Sequence, residues 1–383
     1  MIPPSPLRRS LALALAMAAT LTPAVGYNLS RDYSGANFFD GWDYYGSWDN
    51  LTLSEVWWLN QTEATAEHLA YVNEAGKAII RVDNTTNVPV SQDPRRNTIR
   101  ITSKDSYDYG SLWVFDATHL PYGCSVWPAF WTKGPLWPDD GEIDIVEGIN
   151  LMSSNQMAIH TLDGCTTNKN IVQSGSLGFT NCSAGAGCTV HENKANSFGE
   201  GFANAGGGVW ATQFDVAGVF IWFWSRPDVP AALTQNQTTI DISSWGTPSA
   251  SYPVSPDCPI TKYFTPQQLV IDIALCGDWA GVDSIYQSSG CSGTCGVTGP
   301  GSPAYDNAWF EINYVRAYTT GAVPTATASP SGSTSTATVT STASGSGRTT
   351  QPQQNQSSGT RRAARSAGAL GLLGAMLGLL LLA

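Results

Sequence analysis

Residues 141–148 read Gly-Glu-Ile-Asp-Ile-Val-Glu-Gly, which places Glu142, Asp144 and Glu147 within six residues. The intervening Ile and Val are β-branched and apolar, a strand composition rather than a helical one. Three carboxylates on one strand repel each other, and a buried carboxylate needs compensation. A wet cleft doing acid/base chemistry justifies that cost, and glycoside hydrolysis is the usual reaction of two close carboxyls. A solvated acidic edge or a calcium loop is the plainer reading, but Asp139, Asp140 and Glu142 lack the alternation and central Gly of an EF-hand.

Side chains alternate along a strand, so Glu142 and Asp144 share a face while Glu147 points the other way. One extra residue, a β-bulge, returns Glu147 to the face of Glu142. The spacing therefore predicts a bulge between Asp144 and Glu147, at Ile145–Val146. Carboxyls about 5–5.5 Å apart suit a retaining double displacement, and about 6.5–9.5 Å suits inversion.

The run EIDIVEGIN, preceded by WPAFW and GPLWPDD, resembles family 16 glycoside hydrolases, most closely the fungal secreted endo-1,3(4)-β-glucanases, or laminarinases. AIHT at 158–161, CGDWAG at 276–281 and WFEINYVRAY at 309–318 extend the likeness over residues 27 to 319. The resemblance implies Glu142 as nucleophile, Glu147 as general acid/base and Asp144 between them, orienting Glu142 and sharing its proton. Burial and a neighbouring anion are expected to raise the Glu147 pKa, with hydrogen bonds keeping Glu142 charged. It also implies Trp131, Trp137 and Trp279 as substrate-binding aromatics, and His160 beside the cleft. Trp137 is the clearest of these, because Pro138, Asp139, Asp140 and Gly141 around it read as a loop. Trp127 begins a strand and is assigned to the core.

The elements that must position these groups read as all-β. Strands are expected at 98–102, 111–115, 129–131, 142–147, 157–162, 219–224, 269–274 and 309–318, with a short helix near 62–73. Many short strands between Gly/Pro turns indicate a sandwich or barrel. The resemblance sharpens this to a β-jelly-roll sandwich of two antiparallel sheets with a concave substrate cleft.

The net charge of −11 argues against nucleic acid as a partner. Fourteen tryptophans in a chain only 13% charged suit a neutral polymer, since indole stacks on the C–H faces of sugars. The expected partner is a β-glucan polysaccharide, and a monomer is expected. No HExxH pair and no Gly-x-Ser-x-Gly elbow occurs, which disfavours zinc and serine hydrolases. No cofactor or metal is called for.

Residues 1–26 read as a secretory signal peptide, with Arg8 and Arg9 before an apolar run from Leu11 to Ala19. Residues 27–319 form the expected catalytic domain, and 320–360 a disordered Ser/Thr/Pro-rich stalk. Residues 361–383 read as a glycosylphosphatidylinositol anchor signal, small residues and a polar spacer preceding an apolar tail. The protein is thus expected to be secreted and to meet the membrane only through a lipid anchor. Eight cysteines fit an oxidising compartment and up to four disulfides, Cys182–Cys188 being the easiest to close. Hydrolysis of 1,3- or mixed 1,3/1,4-glucan is the leading activity. A wall-remodelling transglycosylase is the alternative, and a glucan-binding protein without catalysis a third.

Overall fold

The computed structural model describes residues 26–321 apart from residue 236. The expected leader up to residue 25, the stalk beyond 321 and the anchor signal lie outside the described residues. Among the described residues, no helix is long and apolar enough to cross a membrane.

Two large antiparallel sheets carry the fold, as the sandwich reading requires. The site-bearing sheet has eight strands, in the order Ser176–Leu177, Cys188–His191, Gln156–His160, Glu142–Glu147, Val126–Lys133, Gln267–Leu275, Arg100–Tyr107 and Trp42–Tyr44. The second sheet has nine, with Trp309–Thr319 and Ser111–His119 at its centre. Val56–Trp58 and Arg96–Thr98 form a small parallel pair beside them. The core lies where inward side chains of both sheets meet: Phe115 of the second sheet stacks on Phe130 of the first, ring centroids 4.5 Å apart. Burial of such apolar area on both inner faces is the main force joining the layers.

Seven of the eight expected strands are present, five of them longer than their apolar centres, with Met157–Leu162 shorter and ending at His160. The expected strand 98–102 is instead divided at Ile99 between Arg96–Thr98 and Arg100–Tyr107, which belong to different sheets. The helix expected near 62–73 is confined to Gln61–Ala66. An Asn60–Glu63 capping box starts it, each side chain bonding the other residue's backbone N–H. His68 then adopts a φ of 56°, which ends the helix, and Ala70–Val72 pairs into the second sheet. Edge pairing outcompetes a weak helical pattern there.

Four disulfides close the loops: Cys124–Cys291, Cys165–Cys258, Cys182–Cys188 and Cys276–Cys295. The Cys182–Cys188 expectation holds. Five tryptophans, at 42, 113, 210, 222 and 245, are buried and line no part of the site cavity, whereas the buried Trp58 does line it. The rest of the tryptophan content is available to the surface and the cleft.

Candidate active site

The strand Glu142–Glu147 is preceded by Gly141, whose φ of 81° favours glycine. A Cβ there would sit 2.3 Å from the Phe264 ring. At the other end, a Cβ on Gly148 would sit 2.7 Å from Phe198. Both glycines flanking the acidic strand are therefore fixed by close approach.

The bulge is where the spacing places it. Pairing with Gln156–His160 slips between Asp144 and Glu147, and pairing with Val126–Lys133 slips between Asp144 and Val146. Ile143, Ile145 and Val146 are all buried in the core, so two consecutive residues point inward. Glu142, Asp144 and Glu147 consequently line one and the same surface cavity. Trp127, Ala129, Trp131, Arg100 and Asp272 line it with them. A larger cavity of ≈ 170 Å³ beside Cys165, Cys182 and Cys258 contains none of the three carboxyls.

Register explains the grouping. Glu147 stands opposite Ala129, Ala129 opposite Asp272, and Asp272 opposite Arg100. Asp144 stands opposite Trp131, and Glu142 opposite His160. The small Ala129 leaves open space in the row between Glu147 and Asp272.

Each carboxyl has a nitrogen partner. The Trp137 indole N–H donates to Glu142. Trp127 Nε1 donates to Glu147 Oε1 at 3.0 Å, and His160 Nε2 lies 3.2 Å from Asp144 Oδ2. Burial disfavours the His160 imidazolium, but the Asp144 hydrogen bond and the three surrounding carboxylates outweigh it and hold the ring pKa at about 9. Burial pushes the Glu147 carboxyl up to about 7, against the Trp127 hydrogen bond. Burial, then the charge of Asp144, also raises Glu142. Asp144 is raised as well, by burial and then by the charge of Glu147. The expectation that hydrogen bonds keep Glu142 charged is thus not met in the free site: desolvation and the adjacent anion exceed them. Glu142 and Asp144 are arranged to share a proton. One donor atom each from Glu142, Asp144 and His160 lie within 4.8 Å of one another, close enough for a cation as well as for that proton.

The aromatic expectations divide. Trp137 is 45% exposed and stands at the rim, bonded to Glu142. Trp131 lines the cavity although only 4% exposed, its Nε1 donating to Asp272 Oδ2 at 3.1 Å. Trp279 is half-buried and meets Trp127, which lines the cavity, edge to face at 5.5 Å. Trp127, assigned from sequence to the core, is instead only partly buried and bonds Glu147. Its signal was available: two residues before Ala129 and four before Trp131, it shares their face of the strand.

Sequence reasoning missed Asp272 and Arg100. Burial pushes the Asp272 carboxyl up to about 7, opposed by Arg100 and by the Trp131 hydrogen bond. Arg100 Nε lies 4.0 Å from Asp272 Oδ2 and the guanidinium sits over both the Trp131 and Tyr45 rings. Only pairing across three strands brings these together.

The chain is 35% identical over 308 residues to a probable glycosidase of Schizosaccharomyces pombe, covering 76% of this chain and 69% of that protein. It is 33% identical to the endo-1,3(4)-beta-glucanase xgeA of Emericella nidulans, over 80% of this chain. The match spans only 50% of that glucanase, so the chain covers about half its length. Among solved structures, GH16 Laminarinase 16A from Phanerochaete chrysosporium, bound to β-glucans in donor and acceptor sites, aligns with a TM-score of 0.73 and 34% identity. That alignment covers 76% of this chain and 99% of the other. An elongating GH family 16 beta-1,3-glucosyltransferase aligns with a TM-score of 0.70 and 34% identity, over 76% and 100% of the two chains. The XgeA-like catalytic GH16 domain matches residues 42–318, most of the chain, and it is to glycoside hydrolase family 16 that this protein belongs.

Proposed function

We propose that the protein is a retaining endo-β-glucanase that cleaves 1,3-linked, and mixed 1,3/1,4-linked, β-glucans by double displacement. The observation that carries this reading is the bulge that sets Glu142, Asp144 and Glu147 on one cavity face. Glu142 attacks the anomeric carbon, its proton having passed to Asp144, while Glu147 donates its proton to the leaving glycosidic oxygen. Glu147, now ionised, takes a proton from water, which attacks the glycosyl–Glu142 ester and releases the sugar with its original anomeric configuration. The His160 imidazolium offsets the negative charge of the site throughout. Trp137 and Trp131 offer indole faces to the sugar rings.

A second reading, transfer to another sugar hydroxyl in place of water, is favoured by the likeness to an elongating glucosyltransferase. Incubating residues 27–319 with laminarin and sizing the products separates the two. Shorter oligosaccharides support hydrolysis, and lengthened ones support transfer. Unchanged laminarin refutes both. The readings of secretion and surface anchoring rest on the terminal sequence patterns, and the disulfides fit that compartment.

A further inference from the structure

We propose that Asn155 is a positioning residue: its side-chain amide clamps the bulge and thereby aims Glu147, a role that rests on the hydrolase reading above. The bulge interrupts the ladder between the Asp144–Ala158 and Glu147–Gln156 pairs. Backbone groups in that gap lose their regular partners while remaining next to the core, a costly position for any N–H or C=O. Asn155 supplies both replacements. Its Oδ1 accepts from the Glu147 backbone N–H at 2.9 Å, and its Nδ2 donates to the Ile145 carbonyl at 2.9 Å. One planar amide carries an acceptor and a donor at this spacing, which a hydroxyl, a carboxylate or an ammonium does not.

Asn155 is itself fixed. It is fully buried, its own N–H donates to the buried Ser197 Oγ at 3.0 Å, and its carbonyl accepts from the Glu192 N–H at 2.9 Å. The clamp is therefore anchored to a neighbouring segment rather than carried by the strand it shapes. It touches none of the three carboxyl groups, so its effect on the reaction passes through the backbone of Glu147. A strand without the extra residue would offer this amide nothing to bridge. The device belongs to the bulge and to the direction in which the bulge turns Glu147.

The test compares wild type, Asn155→Ala and Asn155→Asp on laminarin, below the melting temperature of each, with folding followed by near-UV circular dichroism. For Asn155→Ala we expect kcat per folded molecule to fall about 100-fold, the scale of a misplaced catalytic group, with KM changed by less than about threefold. Amide hydrogen exchange at Glu147, read whether or not the protein cuts laminarin, should quicken at least about tenfold. Asn155→Asp gives the signature a merely structural role would lack. Protonated, its carboxyl both donates and accepts; ionised, it loses the donor to Ile145. Its kcat should therefore approach wild type at acid pH and fall away at a lower pH than the wild-type alkaline limb. Folded variants with wild-type kcat, pH limb and Glu147 exchange would overturn the proposal. So would an Asn155→Asp protein that fails to fold even at acid pH, where both partners are met. Wild-type protein that leaves laminarin uncut would sink the hydrolase reading, and the exchange measurement would still decide the clamp.

Discussion

His160 Nε2 lies 3.2 Å from Asp144 Oδ2, and His160 stands directly opposite Glu142 on the adjoining strand. One imidazole thus serves two carboxyls, and with its pKa held at about 9 it is a cation beside them at neutral pH, while Arg100 lines the same cavity next to Asp272. Three carboxyls enclosed together would otherwise favour uptake of more than one proton.

Replacing His160 by Gln keeps an N–H donor for Asp144 and removes the charge. Anions become harder to hold, so each carboxyl takes its proton at higher pH. Both limbs of the kcat/KM profile should move upward by about one pH unit, and kcat at pH 6 should drop about tenfold. Limbs that stay in place would mean that the imidazole is neutral in the working enzyme.

The pH dependence of the wild type follows from Glu147. Its acid form donates the proton, and that form dominates below its pKa of about 7. As pH rises through this value the donor is lost, and kcat/KM should fall about tenfold per further unit. A plateau extending past pH 9 would assign the proton to another group.

Trp127→Phe isolates one hydrogen bond, since the ring remains and only the N–H to Glu147 goes. That bond stabilises the Glu147 anion, so its loss raises the carboxyl pKa further. The alkaline limb should move up by roughly half a unit, with the melting temperature little altered. A downward shift would reverse the assigned direction of the interaction.

The local reading of the acidic strand was accurate because alternation and one surplus residue are properties of consecutive positions. Ile145 and Val146 are both apolar, and only a bulge lets both face inward. The strands around it were legible for the same reason. Trp127 belongs to the cavity because alternation puts it on the face of Trp131, a relation that outweighs its place at the start of the strand. Asp272 and Arg100 were invisible because their place beside Glu147 depends on strand order, with residues 100–107 and 267–275 pairing next to 126–133. The helix past Ala66 was overread, because the sequence pattern does not reveal that residues 70–72 pair with Ala78–Arg81.

Azide rescue of Glu142→Ala would identify the nucleophile. In the absence of the side chain, azide enters from its side and should give the α-glycosyl azide. A β-azide from this variant would exchange the roles of the two glutamates.

Proton NMR of the first reducing sugar released from laminarin tests the double displacement most directly. The account predicts the β-anomer first, with the α-anomer growing in only by mutarotation. Initial appearance of the α-anomer would contradict it, since inversion needs a water between the two glutamates rather than a covalent bond to Glu142.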